Sequence, residues 1–137
     1  MVKQEYKYSE ITGKIIGCAI EVHKTLGNGF QEVIYQRALA KEMQLQRLYF
    51  GREMEIPVFY KEEEIGIRRV DFLVENKICV ELKAIAALDN THLNQAINYL
   101  EAFNLEIGLL INFGSPSLEF KRVINLKFNN IIIKEII

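Results

Sequence analysis

From Ser9 to Leu26, the positions Ile11, Ile15, Cys18, Ala19, Val22 and Leu26 recur at the spacing of one helix face. Ser9 and Glu10 suit a helix cap and first turn. Gly27-Asn28-Gly29 follows and accepts the left-handed backbone that a helix end wants. A second helix is predicted from about Gln31 to Gln46, with Ile34, Ala38 and Leu45 on one side. The period then changes. Glu53–Lys61 alternates around Pro57 and reads as a strand near a sheet edge. Glu62-Glu63-Glu64 reads as a solvated turn, with an acidic metal cluster as the sharper alternative. Gly66–Val74 and Lys77–Ala84 read as two strands joined at Glu75-Asn76. Thr91–Phe103 is helical, capped by Asp89 or Thr91. The apolar run Ile107–Phe113 suits a strand covered on both faces. Val123–Phe128 and Ile131–Ile137 complete the pattern as late strands. Helix, helix, three strands, helix, strand implies an α/β fold with a mixed central sheet flanked by helices. No repeat, low-complexity stretch or linker divides the chain, so residues 1–137 are expected to form one domain.

Composition narrows the class without choosing a function. The 137 residues are 50% hydrophobic and 26% charged, ordinary for a folded chain. Seventeen Lys and Arg against eighteen Asp and Glu give a net charge of −1, which argues against nucleic-acid or lipid binding by bulk charge alone. Cys18 and Cys79 lack paired or CxxC spacing and read as free buried thiols of a reducing compartment. No stretch approaches the roughly 20 apolar residues of a membrane span. The opening MVKQEYKYSE has no apolar core of a signal peptide, so a cytoplasmic protein is expected.

The chemistry concentrates in Arg68–Lys83, RRVDFLVENKICVELK. Along the second of its strands Ile78, Val80 and Leu82 point one way, and Cys79, Glu81 and Lys83 the other. Charges on an otherwise apolar strand are costly unless paired, bound to metal or open to a cleft. Asp71, between Val70 and Phe72, poses the same problem. Directly opposed residues of an antiparallel pair share a face. Asp71 therefore meets Glu81 and Lys83 only if the hairpin loop has an odd number of residues, for instance Glu75-Asn76-Lys77 with one left-handed. A two-residue loop puts Asp71 on the opposite face. In the odd register two carboxylates and a lysine converge, hard oxygen ligands suited to Mg²⁺ or Mn²⁺. The bland alternative is an i,i+2 ion pair of Glu81 and Lys83 on an exposed strand face. Glu32 and Tyr35 share a face of the second helix, just after Gly29, and His92, Gln95 and Tyr99 share one face of the later helix.

Taken together these segments resemble a known family. EVHKTLGNGFQEVIY resembles the signature of the GxxExxY proteins, matched by Gly29, Glu32 and Tyr35. Asp71, the ELKA of Glu81–Ala84, the QAINYL of Gln95–Leu100 and Asn112-Phe113-Gly114 follow in the family's order. That family is similar to the PD-(D/E)XK nuclease-like superfamily, whose restriction-endonuclease-like core is a mixed sheet flanked by helices. The resemblance implies that Asp71, Glu81 and Lys83 form the metal-binding and catalytic triad, and that Glu32 adds a metal-holding carboxylate. It implies that Gln95 and Tyr99 belong to the Gln-x-x-x-Tyr motif, a helix contributing to the site and to DNA contact. Val70 stands where the superfamily's name has Pro, and Asn28 where family members often carry Pro.

The expected activity is Mg²⁺- or Mn²⁺-dependent hydrolysis of phosphodiester bonds in DNA. The alternative is an inactive nuclease-fold domain that binds nucleic acid or protein. Arg68, Arg69, Lys121 and Arg122 are the candidate phosphate contacts. His23 is expected to pack or hydrogen-bond rather than catalyse, and His92 is a weak addition to the site. A chain this short has little beyond its core to grip a long duplex, which leaves room for a homodimer or a protein partner.

Overall fold

The computed structural model describes residues 7–128. Helices α1 (Ser9–Leu26) and α2 (Glu32–Leu45) are followed by strands β1 (Phe50–Tyr60), β2 (Glu63–Val74) and β3 (Ile78–Lys83). Then come α3 (Asn90–Phe103), β4 (Ile107–Asn112) and β5 (Glu119–Ile124). The strands form one five-stranded sheet in the order β1-β2-β3-β4-β5. Only β3 and β4 run parallel, joined through α3; the other neighbours are antiparallel. The α/β fold with a mixed sheet is thus as the pattern implied, and Pro57 lies in an edge strand.

Two apolar layers sandwich the sheet. Ile15, Val22, Tyr35, Leu39 and Met43 of α1 and α2 pack on Phe72, Val80, Leu82, Leu109 and Ile111. Ala96 and Leu100 of α3 pack on Val70, Cys79, Leu110 and Val123. The central strand β4 is buried along its whole length, as a strand covered on both faces must be.

Several boundaries depart from the sequence pattern for identifiable reasons. Ser9 does not cap α1; Tyr8 occupies that position in a left-handed conformation with no side-chain cap bond. The buried face of α2 is Tyr35, Gln36, Leu39, Ala40 and Met43, whereas Leu45 is exposed, so the apolar phase expected from Leu45 is off. The turn between β1 and β2 is only Lys61-Glu62, both at positive φ, while Glu63 and Glu64 pair with Tyr60 and Phe59 inside the ladder. The acidic run is therefore mostly strand rather than turn. β5 ends at Ile124 because Asn125 turns away: its N–H donates to the Glu106 carbonyl and its amide to the Leu105 carbonyl. The strand expected over Val123–Phe128 is accordingly cut short, and the one expected over Ile131–Ile137 lies outside the described residues.

Candidate active site

The site is a fork in the sheet. β2 and β3 pair only from Phe72–Val74 to Ile78–Val80, closed by the three-residue loop Glu75-Asn76-Lys77. Glu75 and Asn76 are both left-handed, at φ 54° and 56°. This odd loop sets Asp71 across from Glu81, the register the shared site requires. Beyond that point β2 follows β1 while β3 continues along β4. The divergence leaves ladder N–H groups without carbonyls, and the carboxylates take their place. Asp71 Oδ2 accepts from the Leu82 N–H at 2.8 Å, and Glu81 Oε1 accepts from the Asp71 N–H at 3.1 Å. Each carboxylate reaches across to the other strand.

Helix α2 supplies the third side. Glu32 is its first residue, and Gln36, one turn on, donates its Nε2 to Asp71 Oδ1 at 2.8 Å. Gln36 is buried, and its Oε1 has no hydrogen-bond partner. Leaving such an acceptor unsatisfied costs about 1–3 kcal/mol. Glu32 and Lys83 line a common open cleft of about 480 Å³ with Gly29, Phe30, Gln31, Ala84 and Ile85.

The electrostatics are those of carboxylates crowded together. Burial, then the charge on Asp71, pushes the Glu81 carboxyl up to about 8; only 6% of this residue is exposed. Burial also raises Asp71, while the Leu82 N–H, the Gln36 amide and Lys83 pull it back. Partial desolvation and then Asp71 raise Glu32, and Lys83 opposes both. Lys83 thus acts on all three carboxyls, which it does not neutralise.

On α3, Tyr99 is half-buried, and Arg68 of β2 lies over its ring at 5.6 Å. Burial and then Glu81 raise the Tyr99 hydroxyl, placing Tyr99 within electrostatic reach of the fork. Gln95 lies one turn before it and is partly buried. His92 is engaged otherwise: its Nδ1 accepts from the Asp89 N–H while Asp89 accepts from the Thr91 and His92 N–H groups, a reciprocal helix cap. Asp89 is therefore the cap of α3.

Other motif residues build the frame. The Tyr35 hydroxyl donates to the Gly27 carbonyl at 2.6 Å and accepts from the Phe30 N–H at 3.1 Å, and the ring stacks on Phe113. It locks the turn leading into Glu32. His23 Nε2 donates to the Ser115 carbonyl at 3.0 Å, a hydrogen-bonding and packing role. Asn112 ties both backbone groups of Ile85 and the N–H of Gly114 to its amide, and the Phe113 N–H donates to the Lys83 carbonyl. A Cβ on Gly114 would lie 2.3 Å from the Ile85 nitrogen, so only glycine permits this approach. The backbone carrying Lys83 is fixed in this way.

The four candidate phosphate contacts separate. Arg122 turns inward to Thr12 Oγ1 at 2.9 Å and to the Lys7 carbonyl, so it is a structural tie rather than a phosphate contact. Arg69 is paired with Glu55 at 2.9 Å on the exposed arm. Lys121 is exposed on β5. Arg68 alone of the four is in contact with Tyr99.

Among the described residues, no three His, Cys, Asp or Glu side chains are already closed around a metal position. Asp71 Oδ2 and Glu81 Oε1 each accept one N–H group of the fork, which leaves acceptor capacity on both carboxylates. The donor set nonetheless fits a hard divalent ion: carboxylates, a buried amide oxygen without a partner, and neither thiolate nor imidazole. Sequence reasoning missed Gln36, since a helical glutamine reads as solvent-facing and its partner lies 35 residues away.

A family model described as the PD-(D/E)XK nuclease superfamily matches residues 9–123, and the chain belongs to that superfamily. The crystal structure of SSO0001 is similar in fold, with a TM-score of 0.53 at 14% identity over 97% of this chain and 69% of the other. No curated protein matches the chain.

Proposed function

We propose that this protein is a metal-dependent nuclease that hydrolyses phosphodiester bonds in DNA. The observation that carries the reading is the fork: Asp71 and Glu81 are held against each other, both carboxyls raised, with Lys83 and Glu32 facing one cleft beside them. A purely structural fork would relax by placing apolar residues there. Asp71 and Glu81 are the principal ligands for Mg²⁺ or Mn²⁺, with Glu32 a further carboxylate. Such an ion, when bound, polarises a phosphoryl oxygen and lowers the pKa of water. Lys83 orients or deprotonates the attacking water, or steadies charge that develops on the phosphate. Tyr99 and Gln95 present α3 to the substrate, and the Arg68 guanidinium over Tyr99 takes a neighbouring phosphate. The free buried thiols Cys18 and Cys79 suit a cytoplasmic setting, and no helix among the described residues is long and apolar enough to cross a membrane.

The deciding experiment is a cleavage assay with Mn²⁺ on single-stranded, duplex and branched DNA, and on RNA, comparing the unaltered chain with Lys83→Ala. Loss of cleavage by at least about 100-fold in the variant is expected from removing a charge-stabilising group. Equal background cleavage in both proteins would contradict the reading. A second reading, an inactive domain that binds a partner or a second copy, is favoured by the β1–β2 arm. Phe59, Tyr60, Ile65 and Ile67 on it are each about 60% exposed.

A further inference from the structure

We infer that Gln36 is a positioning residue of the cation site, holding the Asp71 carboxylate through Nε2. The inference rests on the metal-site reading above and assigns a task to a residue outside the acidic set.

Asp71 is held from two sides. Its two oxygens each receive one donor, the Gln36 amide at 2.8 Å and the Leu82 N–H at 2.8 Å. These come from α2 and β3, so the carboxylate is gripped by two separate elements. A carboxylate oxygen has about two acceptor sites, so one on each remains for a cation. Asp71 is thereby oriented without being used up.

The second half of the amide is the less ordinary part. Gln36 is 6% exposed, and its Oε1 has no partner although the residue sits on the buried face of α2. Gln36 is kept at this buried position although its oxygen goes unsatisfied, and the bond it gives in return is the one to Asp71. A leucine or methionine at this position would pack as well and leave no orphan. The amide thus suits a group that orients a metal-ligating carboxylate, as groups supporting metal ligands commonly do.

The test is Mn²⁺ titration calorimetry on the full chain, with melting in EDTA as a fold control, for the unaltered protein, Gln36→Met and Gln36→Leu. The expected result is a Mn²⁺ affinity lowered by about tenfold or more in a variant that still melts cooperatively. In an Asp71→Asn background the same change should have little further effect on whatever affinity remains, since Gln36 acts through Asp71. A folded Gln36 variant that binds Mn²⁺ as tightly as the unaltered chain overturns this inference alone. Absence of Mn²⁺ binding by the unaltered chain overturns the metal reading on which it rests.

Discussion

Two buried polar centres lie near the ends of β3 and β4, and they are satisfied to different degrees. At Asn112, completely buried, every amide valence is used: Oδ1 accepts from the Ile85 and Gly114 N–H groups, and Nδ2 donates to the Ile85 carbonyl and to Glu119. At the fork, two carboxylates face each other, Glu81 is pushed up to about 8, and the Gln36 oxygen has no partner. The first centre is complete as it stands. The second keeps an unsatisfied acceptor and raised carboxyls. Full satisfaction marks the Asn112 knot as architecture, and the deficit at the fork is what the proposed site is argued from.

The largest effect should come from breaking the complete centre. Asn112→Ala removes four hydrogen bonds and strands the Ile85 and Gly114 backbone groups, so urea unfolding should show a loss of about 3 kcal/mol. The fork should respond with the opposite sign. The folded-state pKa of Glu81 is raised, so the native protein binds more protons than the unfolded chain between the ordinary carboxylate range and about 8. Stability of the metal-free protein should therefore fall as pH rises through that window, by on the order of 2 kcal/mol in chelator melts from pH 5 to 9. Asp71 and Glu32, both raised, push in the same direction.

At position 71 the two obvious substitutions should part company. Asp71→Asn removes a charge, keeps an acceptor for the Leu82 N–H and, once the Gln36 amide turns over, offers a donor to its oxygen, so metal-free stability should rise by about 1 kcal/mol. Asp71→Ala strands the Leu82 N–H and the Gln36 amide and should lower it by about the same amount. Equal effects of the two variants in thermal melts would show that the Leu82 and Gln36 hydrogen bonds are not what separates them, and a destabilising Asp71→Asn would show that charge repulsion is not the governing term. The smallest effect concerns the two adjacent arginines. Arg68→Ala should weaken DNA binding about threefold to tenfold and reduce its salt slope by about 1, whereas Arg69→Ala, already paired with Glu55, should change neither.

The contrast between the two centres was only partly legible in the sequence. In the sequence the meeting of Asp71 and Glu81 was a condition on loop parity, left open by a joint read at Glu75-Asn76 and favoured by the family resemblance; the three residues between Val74 and Ile78 settle the face, because strand side chains alternate strictly. Asn112-Phe113-Gly114 was visible as a motif, but that its amide grips Ile85, 27 residues earlier, is a tertiary fact no local pattern carries. Gln36 was invisible for the same reason, and the phase of α2 went astray because its buried face mixes Gln36 and Ala40 with few large apolar residues. Arg122 and Arg68 looked alike in sequence; packing turns one inward to Thr12 and leaves the other over Tyr99. His92 looked available until its ring proved to close the cap of α3.

The most direct test of the fork as an incomplete, cation-requiring site is a pair of melting curves for the unaltered chain and Glu81→Gln at pH 8, each in EDTA and in millimolar Mg²⁺. Glutamine keeps the shape and the acceptor for the Asp71 N–H while removing the charge. The account predicts a crossing: the variant melts higher in EDTA, by a few degrees, and gains nothing from Mg²⁺, whereas the unaltered chain melts lower in EDTA and rises with the ion. A variant that melts lower in EDTA, with neither protein responding to Mg²⁺, would contradict it.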